Sequence, residues 1–187
     1  MYPTGGFGNG GRMRNLVHKF IFRHGPKNNS PKWALLEGFR VPDYEDPSKD
    51  YLWRIRIVAT PWFGIFLHKL TTKDSRSVLH NHPWSFTSFV LKGGYTEYVP
   101  CGCGFDHCTY YAVPRDIRRV NVKRFNNSWH WIDSLDRYPT WTLLFVGRRR
   151  RVWGYLETDG SFVPFDQHES HDKFMAALDQ RGGGDIA

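Results

Sequence analysis

From Tyr51 to Phe165 the chain breaks into short apolar or alternating segments at the roughly 8–12-residue spacing of successive strands. YLWRIRIV, WFGIFLHKL, FTSFVLK, YTEYV, TYYAV, RRVNVKRF, SWHWI, WTLLFV and VWGYLE are rich in β-branched and aromatic residues. Such residues fit a pleated, half-buried surface. Between several of them stand KGG, FNN, DRYP and TDG, whose residue types supply the tight backbone conformations of turns. No helical period alternates with these segments, which argues against a parallel βαβ sheet and predicts an antiparallel sandwich or barrel. Aromatic side chains make up 17% of the 187 residues, including eight Trp, which suits an aromatic interior.

The flanks read differently. Residues 1 to about 15 are Gly-rich and predict a flexible arm. Pro26, Pro31, Pro42 and Pro47 then break any long helix, leaving an irregular wrap with room for one short helix. The predicted division is 1–50 arm and wrap, 51–166 β barrel, and 167–187 a helix in HESHDKFMAALDQR with a frayed GGGDIA tail. No apolar run approaches the roughly 18 residues of a membrane span. MYPTGGFGNGGRMRN lacks the hydrophobic core of a secretory signal. The three cysteines, an odd number confined to Cys101–Cys108, argue against a secreted disulfide framework. A cytoplasmic protein with no membrane partner is the expectation.

SVLHNHPWSFTSFVLKGGYTE, from Ser77 to Glu97, sets His80 and His82 one residue apart at the entrance to a strand-like run. Side chains on a strand repeat direction every second residue, so both imidazoles project to one side and Asn81 to the other. Two imidazoles on one side can share a metal ion. They are equally compatible with surface or capping histidines at a strand entrance, and the spacing alone does not choose. Downstream, NSWHWID places His130 between two tryptophans. It is a candidate third ligand, with a packed core histidine as the alternative.

LHNHPWSFTSFVLKGGYTE resembles the first motif of the cupin superfamily, in which H-x-H precedes a strand and a VL-x-G turn. NSWHWID resembles the second motif, which contributes one more histidine. The likeness is greatest to small cupin-like proteins of phages and actinobacteria that carry H-x-HPW-x-F followed by GGY-x-E, and it covers about Trp62 to Phe165. It implies an all-β fold, a double-stranded β-helix (jelly-roll barrel), with a divalent metal ion held inside by His80, His82 and His130. The cupin pattern expects a Glu a few residues after H-x-H, where this chain has Phe86 and Thr87. The resemblance then runs to the three-His iron site of thiol dioxygenases, with Glu97 and Thr87 beside the ligands or facing a substrate. Glu97 as a primary ligand and a vestigial site without metal are the alternatives. Imidazole suits several divalent metals; Fe is the expectation, with Zn, Ni or Mn as the others. The implied function is metal-dependent chemistry on a small anionic molecule, in its sharpest form that of a non-haem iron dioxygenase. The alternative is a non-catalytic cupin that binds or sequesters a small anion such as a nucleotide or sugar phosphate.

CGCGFDHC puts Cys101, Cys103, His107 and Cys108 into one short loop, a candidate structural zinc site. The spacing is not C-x2-C, adjacent His107 and Cys108 crowd a single ion, and plain thiols are the expected state. RDIRRVNVKRF and GRRRRV supply most of the excess positive charge, +8 overall. Arginine grips carboxylate or phosphate with paired donors, so one inward arginine is expected to hold the anion. Arg118, Val120 and Val122 share one side of their strand, and Arg119, Asn121 and Lys123 the other. The valines mark the first side as interior, which makes Arg118 the candidate and Arg119 the alternative if the register is one residue off. A solvated basic face competes with both. Nucleic-acid binding needs exposed aromatics or a groove-reading element beside the basic residues, and none is legible. The expected partner is a small anion, and a homodimer is compatible with the pattern.

Overall fold

The computed structural model describes residues 34–43, 46, 48–101, 112–124 and 128–180. The Gly-rich arm and the cysteine-loop residues Cys103, His107 and Cys108 lie outside them. Twelve strands are described: β1 (Ala34–Pro42), β2 (Asp50–Ala59), β3 (Gly64–Leu70), β4 (Leu79–His80), β5 (Phe86–Lys92) and β6 (Tyr95–Pro100) come first. There follow β7 (Ala112–Ile117), β8 (Val120–Lys123), β9 (Trp131–Leu135), β10 (Thr140–Val146), β11 (Gly154–Leu156), β12 (Phe162–Pro164) and helix α1 (Ser170–Gln180).

All pairings are antiparallel. One sheet has the order β1-β2-β3-β10-β5-β8, and two smaller ones have the orders β12-β11-β4 and β7-β6-β9. The smaller sheets meet at a bridge between His80 and His130, whose amides exchange hydrogen bonds of 2.9 and 3.1 Å. One wall of the barrel is therefore β3-β10-β5-β8 and the other β4-β9-β6-β7. That alternation of successive strands between walls is the jelly roll, as the sequence predicts. No described helix is long and apolar enough to cross a membrane.

Alternation explains most of the facing. On β3, Gly64, Phe66, His68 and Leu70 point inward and the residues between them are half-buried. Leu52, Leu70, Tyr95, Ile117, Ile132 and Leu135 form one apolar cluster, and Phe66, Phe86 and Val146 a second. The KGG turn joins β5 to β6 with Gly93 at φ 82°, a left-handed conformation that glycine adopts without strain. α1 buries Phe174 and Ala177, and Phe165 stacks on Trp153 with ring centroids 3.9 Å apart.

Three expectations are corrected here. Ala34–Pro42, within the stretch read as an irregular wrap, is a strand that extends the large sheet beyond β2. The facing of β8 is the reverse of the one expected. Val120 and Val122 are 47% and 46% exposed, whereas Asn121 and Lys123 are 1% and 0% exposed. The interior here is polar, so an amide and an ammonium find partners inside and the valines are left on the outer face. Thr87 pairs with Val122 and Phe145 across the sheet, both exposed, while its neighbours Phe86 and Ser88 take the buried positions. Thr87 therefore shares the outer face and does not line the interior.

Gly154 lies where β11 approaches β12. A Cβ there would sit 2.4 Å from the backbone oxygen of Val163 and 2.6 Å from the Phe162 ring. Gly154→Ala is expected to destabilise the fold by about 1–3 kcal/mol through overpacking. Urea denaturation checks this; unchanged stability would show that β11 and β12 separate without cost.

Candidate metal centre

His80 ends β4, His82 lies two residues further on, and His130 pairs with His80 across the gap between the smaller sheets. One ring nitrogen of each can be chosen so that all three lie within 4.8 Å of one another. His82 Nε2 and His130 Nε2 are 2.8 Å apart. Nitrogens bound to one ion at about 2.1 Å and at a right angle would be about 3 Å apart, so the spacing of that pair suits a shared ion. The same spacing suits an N–H···N hydrogen bond with His82 donating.

Glu97, fully buried, stands behind His130. Its Oε2 accepts from His130 Nδ1 at 2.6 Å and from Asn121 Nδ2 at 2.9 Å. Its Oε1 accepts from Arg115 Nε at 2.9 Å, and Arg115 Nη2 also reaches Asn121 Oδ1 at 2.8 Å. Lys123 Nζ lies 2.9 Å from the same Oε1 as an ion pair without a directed hydrogen bond. A proton on His130 Nδ1, shared with the carboxylate, leaves the Nε2 lone pair for a ligand, the usual arrangement behind a metal-binding histidine. Burial alone would raise the Glu97 carboxyl. The hydrogen bond and charge of His130, together with Lys123, outweigh burial and hold it below the usual carboxylate range. Lys123 is pulled down to about 8 by burial, against the opposing charge of Glu97.

Burial also lowers the other two imidazoles. His80 falls to about 4, with Asp74 opposing the shift and His130 adding to it. His82 is held well below its ordinary value by burial and then by the charges of His130, His80, Lys123 and Arg54. Both are neutral at pH 7 and can offer lone pairs. Asp74 Oδ2 lies 3.9 Å from His80 Nδ1 and accepts the Ile132 amide at 2.6 Å, while Asp74 Oδ1 accepts the Tyr51 hydroxyl. Arg151, last of the four consecutive arginines, donates from Nε to the His82 carbonyl at 2.8 Å and from Nη2 to Ser128 Oγ. It ties the segment carrying His82 to the one leading into His130, while Arg148, Arg149 and Arg150 stay exposed.

The structure thus brings His80, His82, His130 and Glu97 together. Phe86, one of the two residues found where the resemblance leads one to expect Glu, sets its ring edge-on to His82, with centroids 4.9 Å apart. Arg118 and Arg119 are exposed in the turn between β7 and β8. Arg118 is paired with Asp136 at 2.7 Å and does not face the imidazoles through β8 as the valine register implied. Cys101 is disulfide-bonded, so its sulfur is not a thiolate available to zinc. Sequence reading missed Arg54, His68, Asp74, Arg115, Asn121 and Lys123. Alternation in phase with Leu52 and Leu70 would have turned Arg54 and His68 inward.

No family model matches the chain, and no curated protein matches it in sequence. Solved structures similar to it include a Streptomyces PAC13 variant with uridine, at 15% identity and TM-score 0.40, covering 73% of this chain and 93% of that one. The polyketide cyclase RemF from Streptomyces resistomycificus is 12% identical over 66% of this chain and 84% of its own, with TM-score 0.42. A sugar phosphate isomerase of the cupin superfamily from Silicibacter pomeroyi is 15% identical over 87% of this chain and 98% of its own, with TM-score 0.38. At such identities the likeness extends no further than the strand arrangement.

Removing the Glu97 charge leaves Lys123 and Arg115 together without their carboxylate. Glu97→Gln is expected to cost about 3–5 kcal/mol, as does breaking a buried ion pair. Adding Lys123→Met should recover much of that loss in urea denaturation. A double variant no more stable than the single one would show that the buried ammonium is not the source.

Proposed function

We propose that the chain is a cupin-type metal enzyme acting on a small anionic molecule. His80, His82 and His130 hold the ion, iron is the expected metal, and a non-haem dioxygenase is the sharpest form of the reading. The observation that carries it is the convergence of three imidazoles, one of them backed by a buried carboxylate. When bound, a divalent ion supplies a Lewis acid and, as iron, a redox centre with coordination positions open to exogenous ligands.

The chain's own residues prepare that site. His80 and His82 stay neutral, so each ring has a lone-pair nitrogen without losing a proton. Glu97 holds the proton on His130 Nδ1 and fixes the plane of that ring. Phe86, buried beside His82, presents hydrocarbon and so would add no ligand to the three imidazoles. Arg151 fixes the main chain at His82.

The test is elemental analysis of the purified protein with mass spectrometry of co-purifying small molecules. His80→Ala and His130→Ala are each expected to lose most of the bound metal while strand content by circular dichroism stays near wild type. Glu97→Gln should retain the ion at an affinity lowered by about 10–100-fold, the usual effect of removing a partner behind a ligand. Full metal retention in both histidine variants would overturn the ligand set. Release of the co-purifying molecule unchanged, under oxygen and with metal present, would favour the non-catalytic binder.

A further inference from the structure

Charge around the imidazoles does not balance. Among the described residues, Glu97 and Asp74 are the carboxylates that contact the three rings. Both are committed: Glu97 to His130, Arg115, Asn121 and Lys123, and Asp74 to the Tyr51 hydroxyl and the Ile132 amide. Arg54 is a cation that neither is seen to reach. It lies on β2 directly opposite His68 on β3, and its Nε donates to His68 Nε2 at 2.9 Å. A neutral imidazole can accept that bond but cannot cancel the charge. His68 is held well below its ordinary value by burial and then by Arg54 itself, so it stays neutral. The rings of Phe39 and Phe66 lie 5.6 and 5.8 Å from the guanidinium, and no described carboxylate pairs with it.

Burial, and then the like charge of Arg56, lower the Arg54 guanidinium to about 10. The group is also near enough to His82 to oppose protonation there. With Nε committed to His68, the two Nη groups remain to grip an oxyanion with paired donors. A desolvated cation without a counter-charge costs stability, and a bound anion would offset that cost.

We propose that Arg54, positioned by His68, forms an oxyanion subsite beside the imidazole cluster that takes the terminal carboxylate or phosphate group of a small ligand. The subsite rests on the functional reading above for where the rest of the ligand lies. Arg54 is the binding residue. His68 is a positioning residue that fixes the plane of the guanidinium by accepting from Nε.

The experiment is calorimetric titration of the full chain with inorganic phosphate and, separately, with acetate, with metal content measured on the same samples. Wild type is expected to bind one of them, and which one assigns the group as phosphate or carboxylate. Arg54→Gln and Arg54→Lys should each weaken that binding by about tenfold or more, because lysine keeps the charge but loses the paired donors. His68→Leu should weaken it, and His68→Gln, which restores an acceptor, should recover it. Arg118→Gln should leave it unchanged. If Arg54→Gln does not fold, Arg54→Lys and the His68 pair carry the test. Binding of neither anion by wild type, or wild-type affinity in the Arg54 variants, would overturn the proposal. Oxyanion binding that depends on Arg54 in a protein holding no metal would overturn the metal reading and leave the subsite standing. Full metal content with binding indifferent to Arg54 would do the reverse.

Discussion

The main-chain pairing of His80 with His130 is the contact on which the rest of the molecule turns. β4 is two residues long and belongs by hydrogen bonding to β11 and β12, while β9 belongs to β6 and β7. The two amide hydrogen bonds between these histidines are the β bridge that joins the two ribbons of the wall opposite the large sheet. The same bonds fix the relative positions of the two ring-bearing Cα atoms. Closure of the barrel and assembly of the imidazole cluster are thus one event, held together by backbone geometry that no side-chain substitution directly removes. Asn81, between His80 and His82, strengthens the joint from the other side by accepting the Gly154 amide at 3.0 Å.

Behind this joint the interior departs from an ordinary hydrophobic core. One carboxylate serves four side chains, and each contact has a structural consequence. His130 gains a fixed ring plane, Arg115 links β7 to β6, and Asn121 and Lys123 draw β8 from the large sheet against the opposite wall. Polar contacts of this kind have narrower distance and angle requirements than apolar packing, so they specify geometry. They also carry risk, since loss of the shared carboxylate would leave Lys123 buried without its counter-charge. The apolar clusters lie around this network and supply the burial that it does not.

How much of this was legible in the sequence follows from the same contrast. Strands such as β3 and β5 could be located from β-forming composition and turn chemistry alone, although His68 and Ser88 share their inward faces. So could the shared facing of His80 and His82, which needs only the two-residue period. The facing of β8 could not, because its inward residues are Asn121 and Lys123 and its outward ones Val120 and Val122. A rule that places valine inside then selects the wrong face, and with it the wrong arginine. Glu97 stood out on the page only as an acid near the motif. Its role depends on Arg115 of β7, Lys123 of β8 and His130 just before β9. Arg54 and His68 were hidden for a similar reason, being adjacent only across a strand pair. Pairs made by register leave no local mark in one sequence.

The bridge also makes the barrel its own test of alignment. Neighbouring strand residues face opposite ways, so sliding β4 by a single position would present Asn81 where His80 and His82 now converge and send both imidazoles outward. Slips of that kind are a general hazard for short strands with few hydrogen bonds to hold them. Here the misaligned arrangement would also forfeit the Asn81 contact to Gly154 and leave the His130 ring, with its buried carboxylate, facing an amide. Misregistered molecules therefore lose polar satisfaction on both sides of the sheet at once. A strand only two residues long gains through that penalty a definition of register that its own length could not supply.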